Sequence, residues 1–459
     1  MKKIKKDARR LKIAYLGGGS RGWAHTLMND LALCPDLTGE VALYDINRPM
    51  AQLNARWGAR VNASPQAVSQ WKYTVAGTIG QALKGADFVV CSIQPGPIEM
   101  MGCDIEIPQK YGILHPVGDT VGPAGLCRSL RSAMDYEEFA IAIRKHCPRA
   151  WVINFTNPMT VCTRTLYKVF PEVRSFGCCH EVFSTQRRLA ALAKEYLKLD
   201  IRRSDVRVNV MGVNHFTWVD KAQYKDIDLI PLYARKMKEK GEVRAISDEE
   251  VAKVGFFGHC KQIGYDLFNR FGILAAAGER HLAEFVPFYL KDEKTLHRWG
   301  VNLTPFSYRI NRYNNSPVEF RKRLRDKKPL DLWQSDEEAI RQIKAILGMG
   351  DFHTNVNLPN VGQIAGLPLD AVVETNAYFT FDSVKPEYSG RLRAGVEAWV
   401  LRAAQNQEMI VEAALKRDKK LAFQAFLNDP LMSLTTDRAW KMFNEMLRAT
   451  ARCLRGWKA

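Results

Sequence analysis

At 459 residues the chain exceeds what one compact core usually organises, so two joined domains are expected, and its ordinary apolar (46%) and charged (25%) fractions exclude disordered, collagen-like and disulfide-stapled classes. The 67 Lys and Arg against 49 Asp and Glu leave a net charge of +18. The basic residues are spread over helical stretches (Arg187, Arg188, Lys194, Lys198) and not gathered into an arm interleaved with aromatics, so a solvated basic surface or an anionic substrate is expected and nucleic acid is not.

The basic N-terminal run Met1–Arg10 lacks the apolar stretch of a signal peptide, since the next apolar segment is cut short by Gly17-Gly18-Gly19. No apolar run reaches the roughly eighteen residues of a membrane span. The ten cysteines show no CxxC framework, which suits a reducing, cytoplasmic setting.

Short apolar runs at 12–17, 40–45, 86–93 and 150–155 alternate with helical stretches, and further runs follow at 174–178 and 206–213. This rhythm predicts a Rossmann-like, doubly wound parallel α/β sheet over residues 1–220. Residues 221–459 are expected to form a mostly helical, mixed α+β domain for substrate binding and oligomerisation, with strand-like pieces at 355–365 and 371–379 and a helical tail from about 390.

After the first run comes Gly17-Gly18-Gly19-Ser20-Arg21-Gly22, then a helix over 24–33. Glycines there let the backbone approach a pyrophosphate at a helix N-terminus. The spacing is not a clean GxGxxG; what completes the pattern is Asp45 at the end of the second run, where a carboxylate meets ribose hydroxyls and repels a 2′-phosphate. NAD is therefore the expected cofactor, held by Gly17, Gly18, Gly19, Ser20, Arg21 and Asp45, with Gln94 of Gln94-Pro95-Gly96 near the nicotinamide. Cys179 and His215 each follow a predicted strand, where an open sheet places its ligands. Thiolate and imidazole together can hold a divalent transition metal with positions left open, although either residue alone is more often structural.

The segments GGGSRGWAHTL, ALYDI, KYGILHPVGDTVGPAG, NFTNPMTV, CCHEVFSTQ, GVNHFTW and LPNVGQIAGLPLDAVVE, in this order over nearly the whole chain, resemble glycoside hydrolase family 4. The resemblance implies a nucleotide-binding half similar to lactate and malate dehydrogenases, an NAD and a manganese (or other divalent) requirement, and Cys179 and His215 as the metal ligands. It implies a hydrolysis outside the two-carboxylate scheme: transient oxidation at the sugar's C3, metal-assisted removal of the C2 proton, and expulsion of the C1 leaving group. It implies Asp119 as the carboxylate assisting the leaving group and the metal site, and Asn157 and His180 as substrate contacts. Glu279 is the expected C2 base, with His281 and Tyr265 as alternatives. Related enzymes are homo-oligomers, dimers or tetramers.

The Cys179-His180-Glu181-Val182-Phe183 version resembles the α-galacturonidase branch, with Ser184 a departure where that branch has Gly. An α-galacturonide is the expected substrate, with Arg280 and Arg309 as candidate partners of its carboxylate. α-Glucuronidase and α-galactosidase activities are the alternatives within the family. From other classes come an NAD-dependent 2-hydroxyacid dehydrogenase and a non-catalytic NAD sensor, neither of which needs Cys179 and His215.

Overall fold

Parallel strands covered by helices on both faces must be apolar on both faces, and the centre of the main sheet is written that way: all four residues of Phe88–Cys91 and the last three of Trp151–Asn154 are buried. In the computed structural model, which describes residues 7–240 and 246–457, six strands run parallel. They are β1 (Arg9–Leu16), β2 (Leu37–Tyr44), β3 (Trp71–Val75), β4 (Phe88–Cys91), β5 (Trp151–Asn154) and β6 (Arg174–Gly177), in the order β3-β2-β1-β4-β5-β6. This is the doubly wound order of dinucleotide-binding sheets. β3 carries no continuous apolar run, because only Trp71 of its five residues is buried, and pattern reading passes it over.

β7 (Arg207–Val213) and β8 (Phe216–Tyr224) form a hairpin in a second, antiparallel sheet with β9 (Ile227–Asp228) and β10 (Leu274–Ala275). The chain then returns: β11 (Phe352–Pro359) pairs antiparallel with β6, and beyond β12 (Ile364–Ala365) the strands β13 (Val372–Thr380) and β14 (Ser383–Pro386) extend the main sheet to nine strands. β15 (Gly390–Arg391) pairs only with β12. Residue 220, where the sequence suggests a domain change, falls inside β8, and the two halves of the chain share one sheet.

The long helices Gly122–His146 and Ala394–Lys416 share one apolar core with the hairpin and the C-terminal helices, so the second half is anchored to the first by continuous packing. None of the described helices is long and apolar enough to cross a membrane, and all ten cysteines are free thiols. The consequence for function lies at one edge. The turns after β1, β2, β4, β5 and β6 open on the carboxyl side of the parallel strands, which brings Gly17, Asp45, Gln94, Asn157 and Cys179 to one rim.

Candidate active site

The rim begins with a turn that only glycine fits. Gly17 has φ +94°, and a Cβ there would overlap the Ser92 carbonyl oxygen; one at Gly18 would press on Leu43. The Gly17 and Gly18 amides donate to the Tyr44 carbonyl at 2.9 and 2.8 Å, tying the turn to the end of β2. Asp45 completes it: Oδ2 accepts from the Gly19 amide at 2.8 Å and Oδ1 from the Asn47 amide at 2.7 Å. Burial raises its carboxyl, and these amides oppose the rise. The Ser20 carbonyl is held by Asn54 Nδ2 at 2.9 Å. Arg21 turns elsewhere, with its guanidinium 3.3 Å from the Tyr313 ring centroid and a bond to the Tyr313 carbonyl; it fastens the helix Phe306–Arg325 beside the turn.

Across the rim, Arg128 of the helix Gly122–His146 joins two loops. Its Nε donates to the Asn157 carbonyl at 3.0 Å and its Nη1 to Gln94 Oε1 at 3.3 Å. With Gln94 so oriented, its Nε2 is buried without a partner, as is Asn157 Oδ1. One unmet donor and one unmet acceptor are the complement of a carboxamide, and a nicotinamide carries one. The residues present fit the dinucleotide.

The second constellation gathers at the β7–β8 hairpin tip. His215 sits there with φ +65°, a left-handed conformation rare outside glycine and tolerated by a side chain held in place. Asp119, His215 and His281 have ligand atoms all within 4.8 Å of one another, and among the described residues they form the one such group of three. Thr120 fixes the geometry: its hydroxyl donates to Asp119 Oδ1 at 2.7 Å and meets His215 Nδ1 at 2.8 Å. Having spent its single proton on Asp119, Thr120 accepts from His215 Nδ1–H, which leaves the lone pair on Nε2 free for an ion. Burial pushes His215 down to about 3, so the ring is neutral, as a ligand must be. Burial alone would raise Asp119, but its surroundings, His281 first and the Arg128 guanidinium among them, outweigh it and hold the carboxyl down to about 2. These neighbours favour the ionised form of Asp119, the form a metal ligand takes.

His281 stacks on His215 with ring centroids 3.7 Å apart, and its Nδ1 is buried without a partner. Imidazole lone pairs lie in the ring plane, so stacked rings aim them side by side and do not converge them on one ion. Of the two, His215 has the fixed tautomer of a ligand.

The sulfur of Cys179 lies outside the group of three, yet it shares its surroundings. Asn214, the residue before His215, donates through Nδ2 to Glu374 at 3.1 Å, and Asn355 Nδ2 donates both to the Cys179 carbonyl at 3.3 Å and to Glu374 at 2.7 Å. Burial, reinforced by Glu374 and Glu181, pushes the thiol well up, the opposite of what a ligating thiolate needs until a cation supplies the missing charge. Glu181 is buried beside both histidines, which hold it in its ionised form against burial, and it accepts from the Gly278 amide at 2.6 Å.

Of the three candidate bases, Glu279, His281 and Tyr265, the structure brings one against His215. Glu279 is 2% exposed and its carboxylate is already committed, accepting from the amides of Gln262 at 2.9 Å and Gly264 at 3.2 Å at the start of the helix Ile263–Phe271. Tyr265 packs near Arg188 and Tyr233. His281, the other alternative, is the one the fold brings to His215. His180 caps the helix Glu181–Leu197 without joining the core: its Nδ1 lies 3.1 Å from Glu337, and its ring 5.7 Å from that of Trp23. Ser184 bonds back to the Glu181 carbonyl in that helix's first turn, a local contact a glycine there would lack. Sequence reasoning passed over Arg128, Thr120 and Glu181. Thr120 and Glu181 adjoin quoted motif residues and could have been flagged by adjacency; Arg128 reads as one basic position on a long helix.

This pairing of a dinucleotide rim with an Asp and His ion site is matched in sequence: residues 12–195 match the family 4 glycosyl hydrolases and residues 210–432 the C-terminal domain of the same family. The chain belongs to glycosyl hydrolase family 4. Within it, the chain is 49% identical over 450 residues to an alpha-galacturonidase from Thermoanaerobacter italicus, covering 97% of this chain and 98% of that one. It is 44% identical to an alpha-galacturonidase from Bacillus subtilis, covering 95% and 97%. A solved structure of a putative glucosidase from Bacillus subtilis superposes with a TM-score of 0.90 at 44% identity, over 95% of this chain and 100% of that one. A 6-phospho-beta-glucosidase from Thermotoga maritima, solved with manganese, NAD+ and glucose-6-phosphate, shares the fold at 22% identity and a TM-score of 0.77, over 97% and 99% of the two chains. This family 4 chain is thus a glycosidase.

Proposed function

We propose that this glycosidase hydrolyses α-linked galacturonides with NAD and a divalent metal, manganese for preference. The observation that carries the reading is the meeting of two half-sites on one rim: Arg128 ties the Gln94 and Asn157 loops together and lies near enough to Asp119 to contribute, after the histidines, to lowering its carboxyl. The names of the relatives at 44–49% identity support the galacturonide, and the Thermotoga maritima structure supports the two cofactors.

When bound, NAD would supply a reversible hydride acceptor and the divalent ion a Lewis acid that makes the proton beside the transient ketone removable. The chain's own residues supply the rest. Gly17, Gly18, Gly19, Ser20 and Asp45 seat the dinucleotide, and Gln94 with Asn157 orients the carboxamide. His215, Cys179 and Asp119 would hold the ion, with Thr120 fixing both the His215 tautomer and the Asp119 rotamer. His281 takes the C2 proton at Nδ1, the atom left without a partner. Asn157 and His180 line the sugar's approach. The ten free thiols, one of them a ligand, support a cytoplasmic location.

The test is turnover of a nitrophenyl α-galacturonide in heavy water with NAD, manganese and reductant. Released galacturonate should carry deuterium at C2 with no build-up of NADH. Stoichiometric NADH would make the protein a dehydrogenase, and a product without deuterium would remove the C2 proton step.

A further inference from the structure

Resting on the proposed function, we infer that Arg280 and Arg309 form the clamp that reads the carboxylate of the reacting sugar. Arg280 lies in the helix Glu279–Phe285, next to His281, and Arg309 in the first turn of the helix Phe306–Arg325. Both guanidiniums converge on one oxygen, the Pro116 carbonyl, with the Arg309 contact at 3.2 Å; Pro116 stands on the same loop as Asp119. Thr304 holds both from behind, its hydroxyl 2.5 Å from Arg280 and its carbonyl 3.3 Å from Arg309 Nε.

Among the described residues neither guanidinium lies in an ion pair, unlike buried Arg131, which takes Asp104. Glu284, an acid near Arg280, is committed: Oε1 accepts from the amides of Val117 and Gly118. Arg280 Nε is buried with no hydrogen-bond partner at all. Two like charges drawn to one neutral oxygen, with N–H groups to spare and with Asp119 and Glu284 near them but in no ion pair with either, leave room for the direct fork contact of an anion. A carboxylate matches the planar fork of each guanidinium.

The basic wall formed by Arg187, Arg188 and Lys261 on the other side is less suited. Arg187 is paired with Asp336 at 2.7 Å, and Arg188 reaches Tyr233 beside Glu279.

The experiment compares nitrophenyl α-galacturonide with nitrophenyl α-galactoside for the wild type and for Arg280→Met, Arg309→Met, Arg309→Lys and Arg188→Met, each with an unchanged NAD affinity as the check on folding. Loss of a charge-assisted bond should lower kcat/KM for the galacturonide about 10- to 100-fold more than for the galactoside in both clamp variants. Arg309→Lys should fall between, since it keeps charge without the fork. Binding of free galacturonate against galactose, by calorimetry, should show the same selective loss. Parallel losses on both substrates overturn the clamp, as does discrimination that vanishes in Arg188→Met and survives in the other variants. A wild type that prefers the galactoside overturns the proposed substrate instead, and galacturonate binding to the same variants then reads the clamp directly.

Discussion

His215 and His281 lie face to face, planes 28° from parallel, although one ends a hairpin turn and the other sits on a helix in a later part of the chain. This stack divides the labour at the site: one ring offers an in-plane lone pair to an ion, and the other has a buried nitrogen with nothing to bind.

The first prediction follows from that division. His281→Gln should keep the manganese concentration for half-activation within about threefold while kcat falls about 100-fold or more, the usual contribution of a positioned base. Thr120→Val should do the reverse, raising the manganese requirement about 10- to 100-fold by releasing the His215 tautomer. Manganese titrations of steady-state rate separate the two, and loss of manganese affinity in His281→Gln would make His281 a ligand.

The carboxyl of Asp119 is lowered against the pull of burial, by His281 first and with the Arg128 guanidinium among the causes, so it should act as a ligand and not as the acid for the leaving group. Asp119→Asn should therefore lower kcat/KM by the same factor for leaving groups of high and low pKa. A rate plot across substituted phenyl α-galacturonides checks this; a loss that grows steadily with leaving-group pKa would restore the proton-donor role expected from sequence.

At the dinucleotide end, Asp45→Ala removes the acceptor for the Gly19 and Asn47 amides together with the ribose partner. NAD affinity should drop about tenfold or more, with a stability loss of about 1 kcal/mol from one part-buried and one exposed amide, read by calorimetry and thermal melting. Gly17→Ala should be harsher still, because the added Cβ meets the Ser92 carbonyl and the backbone has φ +94°. Soluble, NAD-binding Gly17→Ala protein would contradict the turn geometry.

His115, 3% exposed, is pushed down to about 3, mainly by burial and then by Arg309, and its ring packs under the Gly122 end of the long helix. Its folded pKa lies below the unfolded value near 6.5, so the unfolded chain binds the extra proton. Stability from this group is full above about pH 6.5 and is lost as pH falls toward 3, roughly 3 kcal/mol by pH 4. Denaturant midpoints for wild type and His115→Gln should converge as pH drops from 7 to 4. A gap that stays constant would place the effect elsewhere.

The dinucleotide half was largely legible because its signals are local. β1, the glycine turn and Asp45 lie within one strand, helix, strand unit, and a backbone that must approach a phosphate leaves glycine as its trace. The base was not legible: Glu279 and His281 stand on the same turn of one helix, and periodicity does not say which faces the hairpin tip. That the two halves share one sheet was not legible for a related reason, since β11 joins β6 at long sequence separation and carries β13 and β14 with it.

By itself, then, the sequence determined the order of the parallel strands' chemistry: glycines where the chain bends tightly, an acid at the end of β2, and Cys179 and His215 just past strand ends. Only the tertiary structure decided which charges meet. Whether a carboxyl is a ligand or an acid, and whether a guanidinium is paired or waiting, depends on neighbours drawn from β7, the helix Gly122–His146 and the helix Phe306–Arg325. Electrostatic state is a property of distance in space, and distance in space is what a linear pattern does not carry.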